Sequence, residues 1–482
     1  VLLGGLRRLE YRGYDSAGVS VIDADGTLQT RKKAGKLDNL VNEISANPFS
    51  EAHIGIGHTR WATHGAPTDQ NAHPHLGGSR NRLSLIHNGI IENFAELKAE
   101  LLAAGSVFAS ETDTEVAAHL VAAEFDRTGD LVEAFVATVN RLHGAFTILV
   151  VDQDRPDVIL AARRNAPLVI GLGDGENFLG SDVAAFVEYT KRAISVGQDQ
   201  IVILKANEVS VIGFDGKPAT TEEFTVDWDA SAASKGGWPS FMAKEIADQP
   251  QAVADTLMGR VASDGSVQLP ELDAIGAAAK GAISRVTIVA CGTAFYAGEV
   301  ARYAMEKWAR IPVVVELAHE FRYREPVIEG SELIVAISQS GETMDTLMAT
   351  RYAKEHGAKV LAICNTQGAT LAREADAVLY THAGPEVAVA STKALVAQIT
   401  AGLLIALYLA QVRASKPAEE LHSLGRELLK LPAKVTETLA ISEAGAQLGK
   451  DFASASSVLF LGRNVGYPVA MEGALKLKEL AY

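Results

Sequence analysis

Residues 332–343 read ELIVAISQSGET, and this stretch decides the fold of the second half of the chain. It opens with a short apolar run rich in β-branched residues, which is typical of a buried parallel strand. The run ends at hydroxyl side chains around Gly341, and an amphipathic helical pattern follows directly. Backbone N–H groups, a helix dipole and hydroxyl donors would then face one point, so the sequence predicts a phosphate cradle. A capped turn without a ligand is the alternative.

Four further apolar segments alternate with helical patterns on both sides of this stretch. They lie at residues 286–290, 313–316, 360–364 and 378–380. This alternation predicts a doubly wound parallel sheet, whose ligands bind at the carboxyl ends of the strands. Residues 458–463 (VLFLGR) repeat the pattern of residues 286–292, which predicts a strand that begins a second copy of the same domain.

The first half of the chain has a different pattern, in which short apolar segments are separated by Gly, Asn and Asp turns. It predicts a layered domain with mostly antiparallel strands. A Thr112-x-x-Glu115 capping box is expected to begin a helix there. The apolar periodicity fails between residues 215 and 239, which indicates a domain boundary. The expected domains are 1–227, a linker at 228–240, a parallel-sheet domain at 241–435 and the start of a second at 436–482.

Composition limits the class of partner and compartment. The 482 residues carry a formal net charge of −15, which argues against nucleic acid or an anionic membrane as a partner. The two cysteines, Cys291 and Cys364, allow neither a disulfide framework nor a cysteine zinc site, so we expect a cytoplasmic protein. Residues 394–409 approach the length of a membrane span but are expected to form a buried helix. Both ends fall inside helical patterns, so we expect a fragment.

Polar residues of the first half cluster in four motifs: RWATHG (60–65), NAHPH (71–75), HNG (87–89) and ETD (111–113). No histidine pair has helical zinc spacing with a glutamate between, so we expect no metal site. Arg60 offers a bidentate clamp for an α-carboxylate. Asp113 could bind an α-ammonium group or complement a helix dipole. Asn88 and Gly89 could supply an oxyanion hole or form a hairpin turn.

These motifs carry a family resemblance that runs through nearly the whole chain in the family's order. Residues 7–18 (RRLEYRGYDSAG), 60–65, 71–75, 87–93 and 110–115 resemble the glutaminase domain of the glutamine–fructose-6-phosphate aminotransferases (isomerizing). Residues 291–293, 338–343, 389–393 and 472–479 resemble their sugar isomerase (SIS) domains. The resemblance implies an α/β protein, with an N-terminal-nucleophile-type layered αββα glutaminase domain followed by doubly wound parallel-sheet SIS domains.

The resemblance also implies site residues. Asn88 and Gly89 would form the oxyanion hole, and Trp61 would gate an ammonia channel. The glutamine-binding positions are Arg12, Arg60, Trp61, Thr63, His64, His73 and Asp113. The sugar-phosphate-binding positions are Thr293, Ser338, Gln339, Ser340, Thr343, Val389 and Ser391. Glu479 would move a proton between C1 and C2 of the sugar with help from Lys476, although solvated helix charges are the alternative. Ala294 departs from a serine frequent in the family.

The implied reaction transfers the amide nitrogen of glutamine to fructose 6-phosphate, giving glucosamine 6-phosphate and glutamate. It proceeds by glutamine hydrolysis, internal ammonia channelling and ketose-to-aldose isomerisation, as the first step of the hexosamine pathway. The resemblance implies that the reaction needs no cofactor. It also implies that the enzyme is a homodimer. The family's nucleophilic cysteine in a Cys-Gly-Ile-Val start is absent from this sequence, as are its ring-opening histidine and imine-forming lysine. We therefore expect the chain as given to hydrolyse no glutamine.

Three rival functions make different demands on the sequence. A phosphoribosyl amidotransferase would need an acidic pair after an apolar strand, where residues 338–343 stand instead. An asparagine-synthetase-type ligase would need an ATP pyrophosphate loop, which the sequence lacks. A non-catalytic sugar-phosphate sensor would need no counterpart of Glu479 and Lys476, so these two residues favour an enzyme.

Overall fold

The computed structural model describes residues 1–9, 13, 15–60, 65–226, 237–276 and 283–481. The chain divides into two compact units, Val1–Ala233 and Ser234–Tyr482. This division falls inside the stretch predicted as a linker. The division does not test the other domain limits expected from the sequence, at residues 227, 240 and 435, which stay a proposal.

The first unit contains thirteen strands and five α-helices among its described residues. The strands are β1 (Ser16–Asp23), β2 (Leu28–Ala34), β3 (Ala52–Arg60), β4 (His75–Gly77), β5 (Leu83–Ile91), β6 (Gly144–Asp152), β7 (Arg155–Arg164), β8 (Val169–Leu172), β9 (Asn177–Gly180), β10 (Arg192–Ser195), β11 (Gln200–Lys205), β12 (Glu208–Gly213) and β13 (Glu222–Thr225). The helices are α1 (Leu2–Leu9), α2 (Leu37–Ala46), α3 (Phe94–Ala103), α4 (Asp113–Thr128) and α5 (Leu131–Arg141).

Two antiparallel sheets form the centre of this unit. One has the strand order β2-β1-β3 and the other the order β12-β11-β7-β6-β5-β4. They meet through an apolar layer that includes Ile22, Ile56, Ile86 and Val151. Helices α3, α4 and α5 contribute to the core on the outer face of the larger sheet, and α1 and α2 pack on the smaller sheet. The order of layers is αββα, so the predicted glutaminase-type fold is confirmed.

The second unit contains five strands and twelve α-helices among its described residues. The strands are β14 (Arg285–Ala290), β15 (Val313–Leu317), β16 (Glu332–Ser338), β17 (Lys359–Cys364) and β18 (Ala377–Tyr380). The helices are α6 (Phe241–Ala247), α7 (Gln249–Leu257), α8 (Pro270–Ala274), α9 (Gly292–Ala304), α10 (Ala318–Arg324), α11 (Met344–Glu355), α12 (Thr370–Glu374), α13 (Lys393–Arg413), α14 (Ala418–Leu429), α15 (Leu431–Leu439), α16 (Ser442–Asp451) and α17 (Gly466–Ala481).

The five strands form one sheet in the order β15-β14-β16-β17-β18, and every pair is parallel. Two separate apolar clusters cover its faces, so the strands are buried on both sides, as the continuous apolar runs predict. The predicted doubly wound sheet is confirmed. The strand order reverses at β14, and the carboxyl ends of β14 and β16 therefore border the crevice where such sheets bind ligands.

Helix α13 is the long apolar helix of the second unit. It is long and apolar enough to cross a membrane by length and composition, but 67% of its most apolar window is buried inside the protein. It packs against α7 and α9 and contributes a continuous row of alanine and leucine side chains to the core. The expectation of a buried helix is confirmed.

The strand predicted at residues 458–463 is wrong. These residues adopt no regular secondary structure, and Leu459 and Leu461 are 84% and 89% exposed. A strand is stabilised by hydrogen bonds to a neighbour, and no strand among the described residues pairs with this segment. The apolar run at residues 458–461 was therefore not sufficient to predict a strand. We keep residues 436–482 as the start of a second SIS domain only as a proposal.

Close packing of α14 gives a stability prediction. A Cβ atom at Gly425 would lie 1.9 Å from the carbonyl oxygen of Gly265, which is a backbone atom that can move only with its loop. We expect Gly425→Ala to lower the free energy of unfolding by about 1–3 kcal/mol. Gly445→Ala is the matched control, because no heavy atom lies within 4 Å of a Cβ there. Urea unfolding checks this, and equal midpoints for the two variants would contradict it.

Candidate active sites

The first candidate site lies at the ends of β3 and β5 and the start of α4. Asp113, the first residue of α4, is buried, and its Oδ2 accepts a hydrogen bond from the backbone N–H of Ile91 at 2.9 Å. Arg60, the last residue of β3, is also buried and donates to the carbonyl oxygen of Gly65 at 3.1 Å. Burial lowers the pKa of Arg60, and the charges of Asp113 and Asp15 oppose this effect. The structure thus places two predicted residues of opposite charge close enough for their charges to interact.

Asn88 and Gly89 lie inside β5 rather than in a turn. They are opposite Thr147 and Phe146 of β6, so the hairpin-turn alternative is wrong. Gly89 has a φ of 135°, and a Cβ there would lie 2.0 Å from the carbonyl oxygen of Ala145. Only glycine fits this backbone without displacement. The side chain of Asn88 is exposed, which leaves its amide accessible to a ligand.

His73 belongs to a row of histidines behind this site. Its ring centroid lies 4.5 Å from that of His58 and 4.9 Å from that of His75. The Nε2 atoms of His73 and His75 lie 3.2 Å and 3.1 Å from the hydroxyls of Thr114 and Thr112, respectively. Burial lowers the pKa of His75 to about 3 and that of His73 well below its ordinary value, so both rings are neutral at pH 7.

The buried histidines make the stability of the chain depend on pH. In the unfolded chain a histidine titrates near pH 6.5, whereas His75 in the folded chain has a pKa of about 3. As the pH falls below 6.5 the unfolded state binds more protons, and stability falls by about 1.4 kcal/mol per pH unit for each extra proton. We expect His75→Gln to lower this slope between pH 6.5 and 4, measured by urea unfolding.

The matched control for this test is His53→Gln, because His53 is exposed on β3. We expect the control to keep the slope of the wild-type chain. Equal slopes for His75→Gln and the wild-type chain would contradict a buried neutral imidazole at position 75.

The second candidate site is the turn between β16 and α11, which we call the phosphate cradle. Ser338 Oγ accepts a hydrogen bond from the backbone N–H of Gly341 at 3.0 Å and lies 3.0 Å from Thr343 Oγ1. Ser340 Oγ accepts a hydrogen bond from the backbone N–H of Glu342 at 3.2 Å. A hydroxyl that accepts one bond keeps its own proton for another acceptor. The predicted strand, hydroxyl-rich turn and helix N-terminus are all present.

Neighbouring strand ends and loops border the phosphate cradle. The carbonyl oxygen of Gln339 accepts a hydrogen bond from the backbone N–H of Asn365, at the end of β17, at 3.1 Å. The side-chain amide of Asn365 donates to Gly384 at 2.7 Å, in the loop that precedes α13. Val389, which is 51% exposed, and Ser391 lie farther along this loop. The hydroxyl of Ser391 donates to Glu386 Oε2 at 2.9 Å.

Helix α17 brings three charged residues to the start of α9. Thr293 Oγ1 donates a hydrogen bond to Glu472 Oε1 at 2.9 Å. Lys476 Nζ lies 3.5 Å from the same carboxylate oxygen and also pairs with Glu479. Glu472 is 5% exposed, and burial raises its pKa against the opposing charge of Lys476. Sequence reasoning gave Glu472 no role, although its spacing from Lys476 and Glu479 (i, i+4 and i+7) is the signal of a shared helix face.

Four predicted glutamine-site residues lie outside the described residues. They are Arg12, Trp61, Thr63 and His64. Their assignments rest on the sequence motifs alone and stay predictions.

Comparisons with known proteins cover both units. Residues 44–212 match the glutamine amidotransferase domain family, and residues 282–408 match the SIS domain family. The chain is 63% identical over 482 residues to a Leifsonia xyli subsp. xyli protein named glutamine–fructose-6-phosphate aminotransferase (isomerizing), covering 100% of this chain and 78% of that protein. A Streptomyces coelicolor protein of the same name is 58% identical over 482 residues, with the same two coverages of 100% and 78%.

One solved structure is similar to about half of the chain. It is the C-terminal domain of a glucosamine-fructose-6-phosphate aminotransferase from Francisella tularensis, with 39% identity, a TM-score of 0.49, and coverage of 51% of this chain and 68% of that chain. The family assignment rests on the sequence matches, which span both units at well over 30% identity and cover more than two thirds of each relative. The chain belongs to the glutamine–fructose-6-phosphate aminotransferase (isomerizing) family.

Proposed function

We propose that the full-length gene product to which this chain belongs transfers the amide nitrogen of glutamine to fructose 6-phosphate, with isomerisation to glucosamine 6-phosphate and release of glutamate. One observation carries the proposal: a single chain of this family holds two buried side chains of opposite charge, Arg60 and Asp113, in its glutaminase unit and a hydroxyl-lined cradle in its SIS unit. The reaction needs both, because one substrate is a zwitterionic amino acid and the other is a sugar phosphate.

In the glutaminase unit, Arg60 binds the α-carboxylate of glutamine and Asp113 binds its α-ammonium group. Both side chains are buried, where complementary charges interact more strongly than in water. The exposed amide of Asn88 and the backbone N–H of Gly89 stabilise the oxyanion that forms when the amide carbonyl is attacked. Arg12, Trp61, Thr63, His64 and His73 complete the site by their motif positions.

In the SIS unit, the phosphate cradle and Thr293 bind the phosphate of fructose 6-phosphate. The hydroxyls of Ser338, Ser340 and Thr343 donate to the phosphate oxygens, and the N-terminus of α11 adds its dipole. The chain as a whole carries a net charge of −15 and does not attract an anion. Binding of the phosphate therefore depends on these local donors. Gln339, Val389 and Ser391 contact the sugar.

Glu479 and Lys476 carry the isomerisation. Glu479 takes a proton from C1 of the fructosimine and returns it to C2, a general acid–base role that suits a partly exposed carboxylate. Lys476 lies between Glu472 and Glu479 and forms ion pairs with both carboxylates. Buried Glu472, which accepts the Thr293 hydrogen bond, positions both α17 and Thr293.

The proposal also includes the route of ammonia, the oligomeric state, the compartment and the pathway of the enzyme. Ammonia passes internally from the glutaminase site to the sugar site, the enzyme acts as a homodimer in the cytoplasm, and the product enters the hexosamine pathway. The supporting observation is the identity of 63% over the whole chain with a protein of that name.

Fructose 6-phosphate binding by the chain tests the cradle directly. We expect calorimetric titration to show one site, and Ser338→Ala combined with Ser340→Ala to weaken binding at least about tenfold, because two donors to a charged phosphate are lost. Ser442→Ala is the control, since Ser442 lies exposed at the start of α16. Unchanged affinity in the double variant would contradict the assignment of the cradle.

A further inference from the structure

Three side chains with metal-ligand chemistry converge at the carboxyl edge of the parallel sheet. They are Cys291, His319 and Asp345, each partly buried, and one ligand atom of each lies within 4.8 Å of the other two. The zinc-type spacings sought in the sequence do not reveal this group, because its members follow three different strands.

The fold explains why these residues meet. Cys291 follows β14, His319 lies at the start of α10 after β15, and Asp345 lies in the first turn of α11 after β16. These three strands are neighbours in the order β15-β14-β16, and all are parallel. Their carboxyl ends therefore bring the three side chains to one point.

We propose that Cys291, His319 and Asp345 form a binding site for a Zn²⁺-type transition-metal ion. Thiolate, imidazole and carboxylate are the ligands that Zn²⁺ takes, whereas Mg²⁺ and Ca²⁺ take oxygen ligands. Around a tetrahedral zinc ion, ligand atoms are separated by roughly 3.3–3.7 Å, given bond lengths of about 2.0–2.3 Å. The three ligand atoms lie within 4.8 Å of one another, so binding would require side-chain rotations that bring them closer by about 1.5 Å at most. Three protein ligands leave the fourth position for water.

The surroundings of the sulfur suit a thiolate once a cation is present. Burial and the charge of Asp345 raise the pKa of the Cys291 thiol, while the hydroxyl of Thr346 and the backbone N–H groups of Ala318 and His319 lower it. Metal binding forms the sulfur–metal bond and releases the thiol proton to solvent. The cation also reverses the effect of Asp345, which becomes a ligand instead of an opposing charge.

Cobalt(II) tests the site without reference to turnover, because a thiolate ligand gives Co²⁺ an intense near-ultraviolet charge-transfer absorption. The experiment titrates the untagged chain with Co²⁺ and then displaces it with Zn²⁺. We expect one equivalent to bind with the thiolate band. The band should vanish in Cys291→Ser, and affinity should fall at least about tenfold in His319→Gln and Asp345→Asn.

Two controls separate this site from other metal ligands. Cys364→Ala removes the other cysteine, and Glu355→Gln removes an exposed acid at the end of α11 away from the three ligands, so both should keep the band and the affinity. A metal ion bound by histidines alone gives no thiolate band, so the band reports only a site that contains a cysteine. A wild-type chain without the band, a band that survives Cys291→Ser, or wild-type affinity in His319→Gln and Asp345→Asn would overturn the proposal.

Discussion

Replacement of Asp113 by asparagine in the full-length gene product is expected to abolish glutamine-dependent synthesis of glucosamine 6-phosphate. Asparagine keeps the volume of the side chain and an oxygen to accept the hydrogen bond from Ile91, but it removes the charge that would bind the α-ammonium group. It also leaves Arg60 buried beside one fewer carboxylate. Removing one partner of a buried charge pair between a protein and its ligand costs about 2–5 kcal/mol of binding, which corresponds to a loss of at least about thirtyfold in kcat/KM for glutamine.

Ammonium-dependent synthesis separates this effect from unfolding. We expect the Asp113→Asn variant to retain it, because the sugar site lies in the other unit. The matched control is Glu96→Gln, which changes an exposed acid in the first turn of α3 and should leave both activities unchanged. Wild-type glutamine dependence in Asp113→Asn would contradict the proposed glutamine site.

Replacement of Glu479 by glutamine is expected to abolish synthesis from both nitrogen sources. Glutamine has nearly the same shape but cannot accept the proton from C1, and loss of a general base costs about 10²–10⁴-fold in kcat. Lys476 loses one of its two carboxylate partners but keeps Glu472, so α17 should stay in place. We therefore expect the affinity for fructose 6-phosphate, measured by calorimetry, to change little.

Comparison of the change in kcat with the change in affinity for fructose 6-phosphate identifies the role of Glu479. Glu443→Gln is the matched control, because Glu443 is an exposed acid in the first turn of α16. A purely structural role for Glu479 would weaken fructose 6-phosphate binding along with turnover. Unchanged turnover would exclude Glu479 as the base.

The sequence predicted the sheet of the second unit well because its strands are buried on both faces. Each central strand is a continuous apolar run followed by a helix. This alternation is typical of a parallel sheet and of few other folds. The same reasoning located the phosphate cradle, since hydroxyl side chains at the end of β16 must lie at the edge where ligands bind.

Strand β2 of the first unit lacks the apolar pattern that would predict a strand, for a different reason. Strand β2, with the sequence LQTRKKA, lies at the edge of its sheet and its residues are only half-buried, so it needs no apolar alternation. Its stability comes from pairing with β1, which the sequence of β2 does not encode. Residues 458–461 show the reverse case, an apolar run that forms no strand because no described strand pairs with it.

The sequence motifs also did not predict which groups each polar side chain would bind by hydrogen bonds. The predicted capping box at Thr112 does not form: Glu115 instead accepts hydrogen bonds from the backbone N–H groups of Ala109 and Ser110, at 2.7 and 2.6 Å. The hydrogen bond between Thr293 and Glu472 joins residues 179 positions apart. Such contacts depend on the packing of whole elements, and only the three-dimensional structure reveals them.

The most direct test of the proposed function is synthesis by the full-length gene product, supplied with fructose 6-phosphate, amide-labelled (nitrogen-15) glutamine and unlabelled ammonium. We predict glucosamine 6-phosphate that carries predominantly the label, because the nitrogen would be transferred inside the enzyme. Bound fructose 6-phosphate without product from either nitrogen source would contradict the enzyme and favour a sugar-phosphate sensor.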